Sequence, residues 1–350
     1  MLIIVSLLLS FNCQAEATIE KKAEIATPAD KAKKVPTVLQ FSSLHPAAIN
    51  ESWYLSGLIE SEQGGRFAYY FVVQRLNEQF SYFTQIINID TKAVIYKRTE
   101  TAQLSLATRL GINFKIGDGF LRYNEINDSW LFGVDEKHGF NLRVESLQTE
   151  SYKVNHLKHI YFYTLQSKRV NGQLSLDDDK VEFVTAKNAW LSHQWQDPGE
   201  ENDITIERLL CRSVDNEGVM LLKAYSNGKV IYSQADLLDQ RGESHPVSQF
   251  SVLSQTKPTQ WKVKIFSPKK NFEITSQLPQ QSIIDTKTVN YYLGTALTIN
   301  QSNQLTASGG CVIIKESIEM AKTFNKKELI SQDPEKNAEK KEAVTSETSK

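Results

Sequence analysis

At 350 residues the chain is long enough for two domains of ordinary size. It is 40% hydrophobic and 23% charged, the balance of a soluble globular protein, and its formal net charge is −1. Interspersed charge summing to nearly zero excludes any global attraction to nucleic acid or to an anionic membrane surface.

Residues 1–17 read as a secretory signal. Leu2 to Phe11 form an apolar run too short to span a bilayer, and the small residues Ala15 and Ala17 mark the expected cleavage region. Ser10-Phe11-Asn12 matches a lipobox poorly, so lipidation at Cys13 is disfavoured and a soluble exported protein, periplasmic or secreted, is expected. No other segment reads as a transmembrane helix, so the mature chain is expected to carry no integral membrane segment and to have no nucleic-acid partner. Residues 18–36, rich in Ala, Lys and Glu, read as a flexible leader.

From Trp53 the apolar residues alternate, the period of half-buried strands. Phe67 to Val73, Phe80 to Ile89 and Val94 to Arg98 form strands after the Gly64-Gly65 turn, the last two divided at Asp90-Thr91-Lys92. Trp130, Phe132 and Val134 alternate, as do Phe140, Leu142 and Val144 beyond a Lys137-His138-Gly139 turn. Ile160 to Trp195 is expected to give three strands, with turns at Asn171-Gly172 and Asp177-Asp178-Asp179. Asp197-Pro198-Gly199-Glu200 is the natural break between two domains, 37–198 and 199–320. Beyond it, Ser226-Asn227-Gly228-Lys229 signals a hairpin of the primed type. Residues 321–350, rich in Lys, Glu, Ser and Thr, read as a polar, largely disordered tail. Many short strands and few helices indicate an all-β sandwich or barrel.

Trp190-Leu191-Ser192-His193-Gln194-Trp195 is the densest functional stretch. On a strand, Leu191, His193 and Trp195 share one face, and Trp190, Ser192 and Gln194 share the other. An apolar face with one histidine suits the wall of a ligand cavity, and equally a core histidine with ordinary hydrogen-bond partners. The chain has no Gly-x-Ser-x-Gly elbow and no phosphate or dinucleotide glycine loop. His156 and His159 are expected on opposite faces of a strand, without Cys or acidic partners at ligand spacing. No metal and no cofactor is therefore expected.

The same six residues resemble the Trp-Leu-Asp-His-x-Trp motif of the lipocalin-like family that includes carotenoid 1,2-hydratases and AttH-type secreted hydrolases. His45-Pro46 with Glu51-Ser52-Trp53-Tyr54-Leu55-Ser56-Gly57 resembles the family's opening strand. Tyr161-Phe162-Tyr163, Val170 to Leu174, and Tyr291 to Ala296 resemble later segments in the right order. The resemblance implies two lipocalin-like antiparallel barrels in tandem. It also implies a hydrophobic ligand, lipid- or isoprenoid-like. Trp190, Trp195, Trp53, Tyr54, Tyr69, Phe71, Tyr161 and Tyr163 are the aromatic side chains placed to line a cavity for it, or simply to fill the barrels.

The alternative is a hydratase or hydrolase with His193 as general acid or base, and a further one is a structural partner in an envelope pathway. Against the hydratase, Ser192 replaces the motif's Asp, and Glu207-Arg208-Leu209-Leu210 lacks the aromatic residues of the matching family strand. Cys211 and Cys311 fall in the expected first and last strands of the second barrel, which closure makes neighbours. Both a disulfide and separate packing as small buried hydrophobes stay open.

Overall fold

The computed structural model describes residues 43–318, with breaks at 106–110, 148–154, 178–179, 187–188, 199–203, 214–216, 242, 255–259, 276–288 and 300–304. The expected signal (1–17), leader (18–36) and tail (321–350) lie outside the described residues. The segment Thr37–Lys350 is one compact unit, and every regular element described in it is a strand.

The first antiparallel sheet comprises twelve described strands. They are β1 (Asn50–Ser61), β2 (Arg66–Leu76), β3 (Gln79–Asn88), β4 (Val94–Gln103), β5 (Asn113–Ile116), β6 (Gly119–Asn124), β7 (Ser129–Val134), β8 (Phe140–Leu147), β9 (Asn155–Leu157), β10 (Ile160–Asp177), β11 (Lys180–Ala186) and β12 (Ala189–Gln196). Their order is β4-β3-β2-β1-β11-β10-β8-β7-β6-β5, with β12 also joining β1 to β10, and β9 beside β10. The ends of this path, β4 and β5, are bridged by side chains. Arg98 on β4 reaches Asp118 and Glu136, each at 3.3 Å, and Glu100 accepts the Asp118 backbone N–H at 3.0 Å. The result is a nearly closed barrel.

The second sheet holds β13 (Ile204–Ser213), β14 (Gly218–Ser226), β15 (Lys229–Leu238), β16 (Ser244–Pro246), β17 (Phe250–Ser254), β18 (Gln260–Phe266), β19 (Lys269–Thr275), β20 (Val289–Ile299) and β21 (Leu305–Ile318). Its order is β16-β15-β14-β13-β21-β20-β19-β18-β17. The first strand thus lies beside the last. Cys211 stands directly opposite Cys311, and the two are joined as a disulfide.

Alternation explains the cores. Trp53, Phe71, Phe132 and Leu142 point into the barrel, whereas Val219, Val263 and Ile274 fill the second sheet. The other faces of β1, β2 and β12 are not wet. Tyr54, Tyr70, Val72 and Trp190 pack there against Leu210, Leu238, Val312 and Ile314 of the second sheet. Every residue of β12 is therefore buried. At Gly310 the sheets come so close that an added Cβ would lie 2.2 Å from Leu58 Cδ1.

Two turn expectations diverge. Asn227 and Gly228 both have positive φ (50° and 74°) and join β14 to β15, as a primed hairpin requires. Asn171-Gly172, by contrast, is no turn, because β10 runs straight through it. Gly172 sits between β8 and β11, and a Cβ there would lie 2.0 Å from the Asn141 carbonyl oxygen. Its glycine serves close strand approach, the second physical reason for glycine in a strand.

Candidate functional site

Three of the segments that carry the resemblance, at 45–57, 161–163 and 190–195, meet at one point inside the barrel. In register across three strands, Trp53 on β1 faces His193 on β12, which faces Tyr163 on β10. One row further along, Glu51 lies between Arg75 of β2 and Trp195 of β12, and Trp195 faces Tyr161. Period-two alternation turns all these side chains inward.

Glu51 is the hub, at 0% exposure. Arg75 donates to its Oε2 from Nε (3.2 Å) and Nη2 (2.9 Å). Nδ1 of His45 and Nε2 of His193 contact Oε1 at 2.8 and 3.0 Å, and the His45 backbone N–H donates to the same carboxylate. Arg75 also donates to the carbonyls of His45 and Asn77 at 2.8 and 3.1 Å. Burial alone would raise the Glu51 carboxyl, but hydrogen bonds from His193 and His45 outweigh it and hold the group at about 2. Burial pushes His193 down to about 4, so at neutral pH its ring is uncharged. A carboxylate only accepts, so Nε2 carries the ring hydrogen and Nδ1 accepts from the Tyr163 hydroxyl, 3.0 Å away.

Stacking completes the cluster. His45 lies flat on Trp195 (centroids 3.8 Å, 4°), and Trp195 stacks on Tyr161 at 5.4 Å. His193 stacks on Trp53 at 4.9 Å. Together these contacts fasten the coil at residue 45 to the barrel mouth.

The chemistry open to this cluster is narrow. Protonating an alkene needs a carboxylic acid held neutral, and Glu51 is held ionised. His193 is 0% exposed with both ring nitrogens engaged. His45, Glu51 and His193 do bring three possible metal-ligand atoms within 4.8 Å. Arg75 already supplies the positive charge to that carboxylate, however, and repels a second cation.

The aromatic residues singled out in the sequence divide between two places. Trp53, Tyr69, Phe71, Tyr163 and Trp195 belong to the barrel core, with Tyr161 partly buried against it. There they pack ring on ring, Phe71 against Tyr82 and Phe132 at 5.8 and 5.2 Å. Tyr54 and Trp190 face the other way, into the seam between the sheets. Odd sequence spacing separates Tyr54 from Trp53 and Trp190 from His193. His156 and His159 are both exposed, on β9 and in the turn after it.

A cavity of about 270 Å³ opens between the two sheets. Phe162 and Thr164 of β10 form one wall, and Arg208, Met220, Leu222 and Asp236 form the other. Arg208 and Asp236 are only 1% and 6% exposed. Arg208 donates to the Gln194 side-chain oxygen and lies over the Tyr54 ring at 5.5 Å. Gln234 donates to Asp236 at 2.8 Å, and Tyr232 donates to Gln234 at 2.6 Å. Asn155, on the first sheet, reaches Tyr232 at 3.3 Å. A larger hollow of about 620 Å³ beside Asn113 and Arg122 is walled by turn residues such as Ile126, itself 97% exposed, and is open surface.

Sequence reasoning missed Arg75, Arg208 and Asp236. Parity held the signal for the first: Tyr69, Phe71, Val73 and Arg75 share one face of β2, just as Glu51, Trp53 and Leu55 share one face of β1.

No family model matches the chain, and no curated protein matches it in sequence. Among solved structures it is similar to a candidate AttH from Nitrosomonas europaea, with a TM-score of 0.61 at 13% identity over 83% of this chain and 98% of that one. It is also similar to kievitone hydratase from Nectria haematococca, with a TM-score of 0.61 at 12% identity over 82% and 94%. At such identity the likeness shows the fold, which is the lipocalin-like fold of these proteins.

Proposed function

We propose that this protein binds a small, partly polar organic molecule in the cavity between its two sheets. The observation that carries the reading is the composition of that wall. Apolar side chains (Phe162, Met220, Leu222) share it with about as many polar ones, of which Arg208 and Asp236 are oriented by hydrogen bonds with Gln194 and Gln234, so the cavity offers both packing surface and fixed polar groups. About 270 Å³ falls just below the usual range of ~300–1,000 Å³. A compact ligand fits there, whereas a carotenoid-length chain does not. The short, partly polar ligand proposed departs from the lipid- or isoprenoid-like one implied by the resemblance.

Hydration or hydrolysis at the same cavity is the second reading, favoured by the fold shared with kievitone hydratase. In that case Asp236, lining the cavity, is a better placed acid–base group than the sealed His193. Export remains part of the proposal, and the Cys211–Cys311 disulfide supports it, because such bonds persist in oxidising compartments.

Met220→Trp, which fills the cavity from its β14 wall, is the test. Native mass spectrometry of gently purified protein should show a small molecule on the wild type and none on the folded variant. Equal occupancy of both would contradict the reading.

A further inference from the structure

The two charges of the cavity wall specify more than a small molecule. On the second sheet Arg208 shares a row with Leu222 and Gln234, and Asp236 shares the adjacent row with Met220 and Leu210. Arg208 on β13 and Asp236 on β15 are thus separated by β14, at about 10 Å across the sheet. Met220 and Leu222 form an apolar floor between them. Neither charge is loosely held. The Arg208 plane is set by Gln194 and by the ring of Tyr54. The Asp236 carboxylate is set by Gln234, which is set in turn by Tyr232.

A guanidinium only donates hydrogen bonds and a carboxylate only accepts them. A molecule spanning the cavity must therefore present an acceptor toward Arg208 and a donor toward Asp236. A wholly apolar molecule would leave both groups facing it without a polar contact from the ligand. Resting on the binding reading above, we infer that the ligand class is the small hydroxylated carboxylic acids. The carboxylate meets Arg208, the hydroxyl donates to Asp236, and an apolar ring or short chain lies over Met220 and Leu222.

The test is a ligand series on the full chain, read by isothermal titration. The probes are 4-hydroxyphenylacetate, its neutral amide 4-hydroxyphenylacetamide, and phenylacetate, which lacks the hydroxyl. On the wild type the hydroxy acid should bind about tenfold to a hundredfold more tightly than the amide, the scale of one charge-assisted hydrogen bond. It should also bind more tightly than phenylacetate. Arg208→Gln should abolish the preference for acid over amide, and Asp236→Asn the preference for the hydroxyl. The wild-type comparison stands even if a variant fails to fold. Equal binding of acid and amide to the wild type overturns this inference, and if Met220→Trp blocks both, the binding reading survives. No binding of the acid at millimolar concentration overturns the inference as well.

Discussion

Glu51→Gln is expected to lower the unfolding free energy by about 3–5 kcal/mol, the cost of leaving a buried charge without its partner. Arg75, at 1% exposure, would keep its charge and its two carbonyl acceptors but lose the carboxylate. Removing both charges together, as Glu51→Gln with Arg75→Met, should recover much of the loss, because apolar replacement of a whole buried pair is often near neutral. Urea unfolding of the wild type, both single variants and the double variant checks this. A single-variant loss below about 1 kcal/mol would mean that the cluster does not hold the barrel mouth.

The pH profile carries the same argument. The folded-state value of Glu51 lies near 2 against 4.5 for the free side chain, so its stabilisation is complete above 4.5 and is lost as pH falls toward 2. His193 lies near 4 against 6.5. The unfolded chain therefore takes up a proton that the folded chain refuses between those values, and stability falls on acidification through that window. Glu51→Gln should remove the Glu51 part of the fall below 4.5, while the His193 part, which starts near 6.5, should extend below pH 4 because the carboxylate no longer raises the ring.

The second large effect belongs to the disulfide. Cys211 and Cys311 are 100 residues apart. In the chain-entropy model, closing a loop of this size contributes ~4.7 kcal/mol by restricting the unfolded chain. The double variant Cys211→Ala with Cys311→Ala should lose about 3–5 kcal/mol, with a steeper urea dependence because its unfolded chain is more open. Unfolded, unreduced wild-type protein lacking the 1–17 segment should titrate no free thiol. Two free thiols would show that these residues pack as separate small hydrophobes.

How much of this was legible follows from which faces are wet. Strands with one buried face, such as Phe140-x-Leu142-x-Val144, announced themselves by alternation. β12 was harder to place, since its outer face (Trp190, Ser192, Gln194) is polar enough to read as wet yet is buried against the opposite sheet. Parity does set Trp190 apart from His193 and Tyr54 apart from Trp53; it is the resemblance that groups Tyr54 and Trp190 with the barrel-lining aromatics, whereas they pack in the seam. Asn171-Gly172 misled because the pair is a turn signal, while here the glycine answers a neighbouring carbonyl. The Glu51–Arg75 pair was readable from parity, two opposite charges on the apolar faces of adjacent strands. Arg208 and Asp236 were not, because only the docking of one sheet on another makes their face an interior.

The central claim is that the ligand site lies between the sheets and not around His193. Hydrogen–deuterium exchange with and without 4-hydroxyphenylacetate tests it most directly. The account predicts added protection in β14 and β15 (218–226 and 229–238) and at 160–164, with little change in β1 and β12. Protection confined to β1 and β12, around Glu51 and His193, would contradict it.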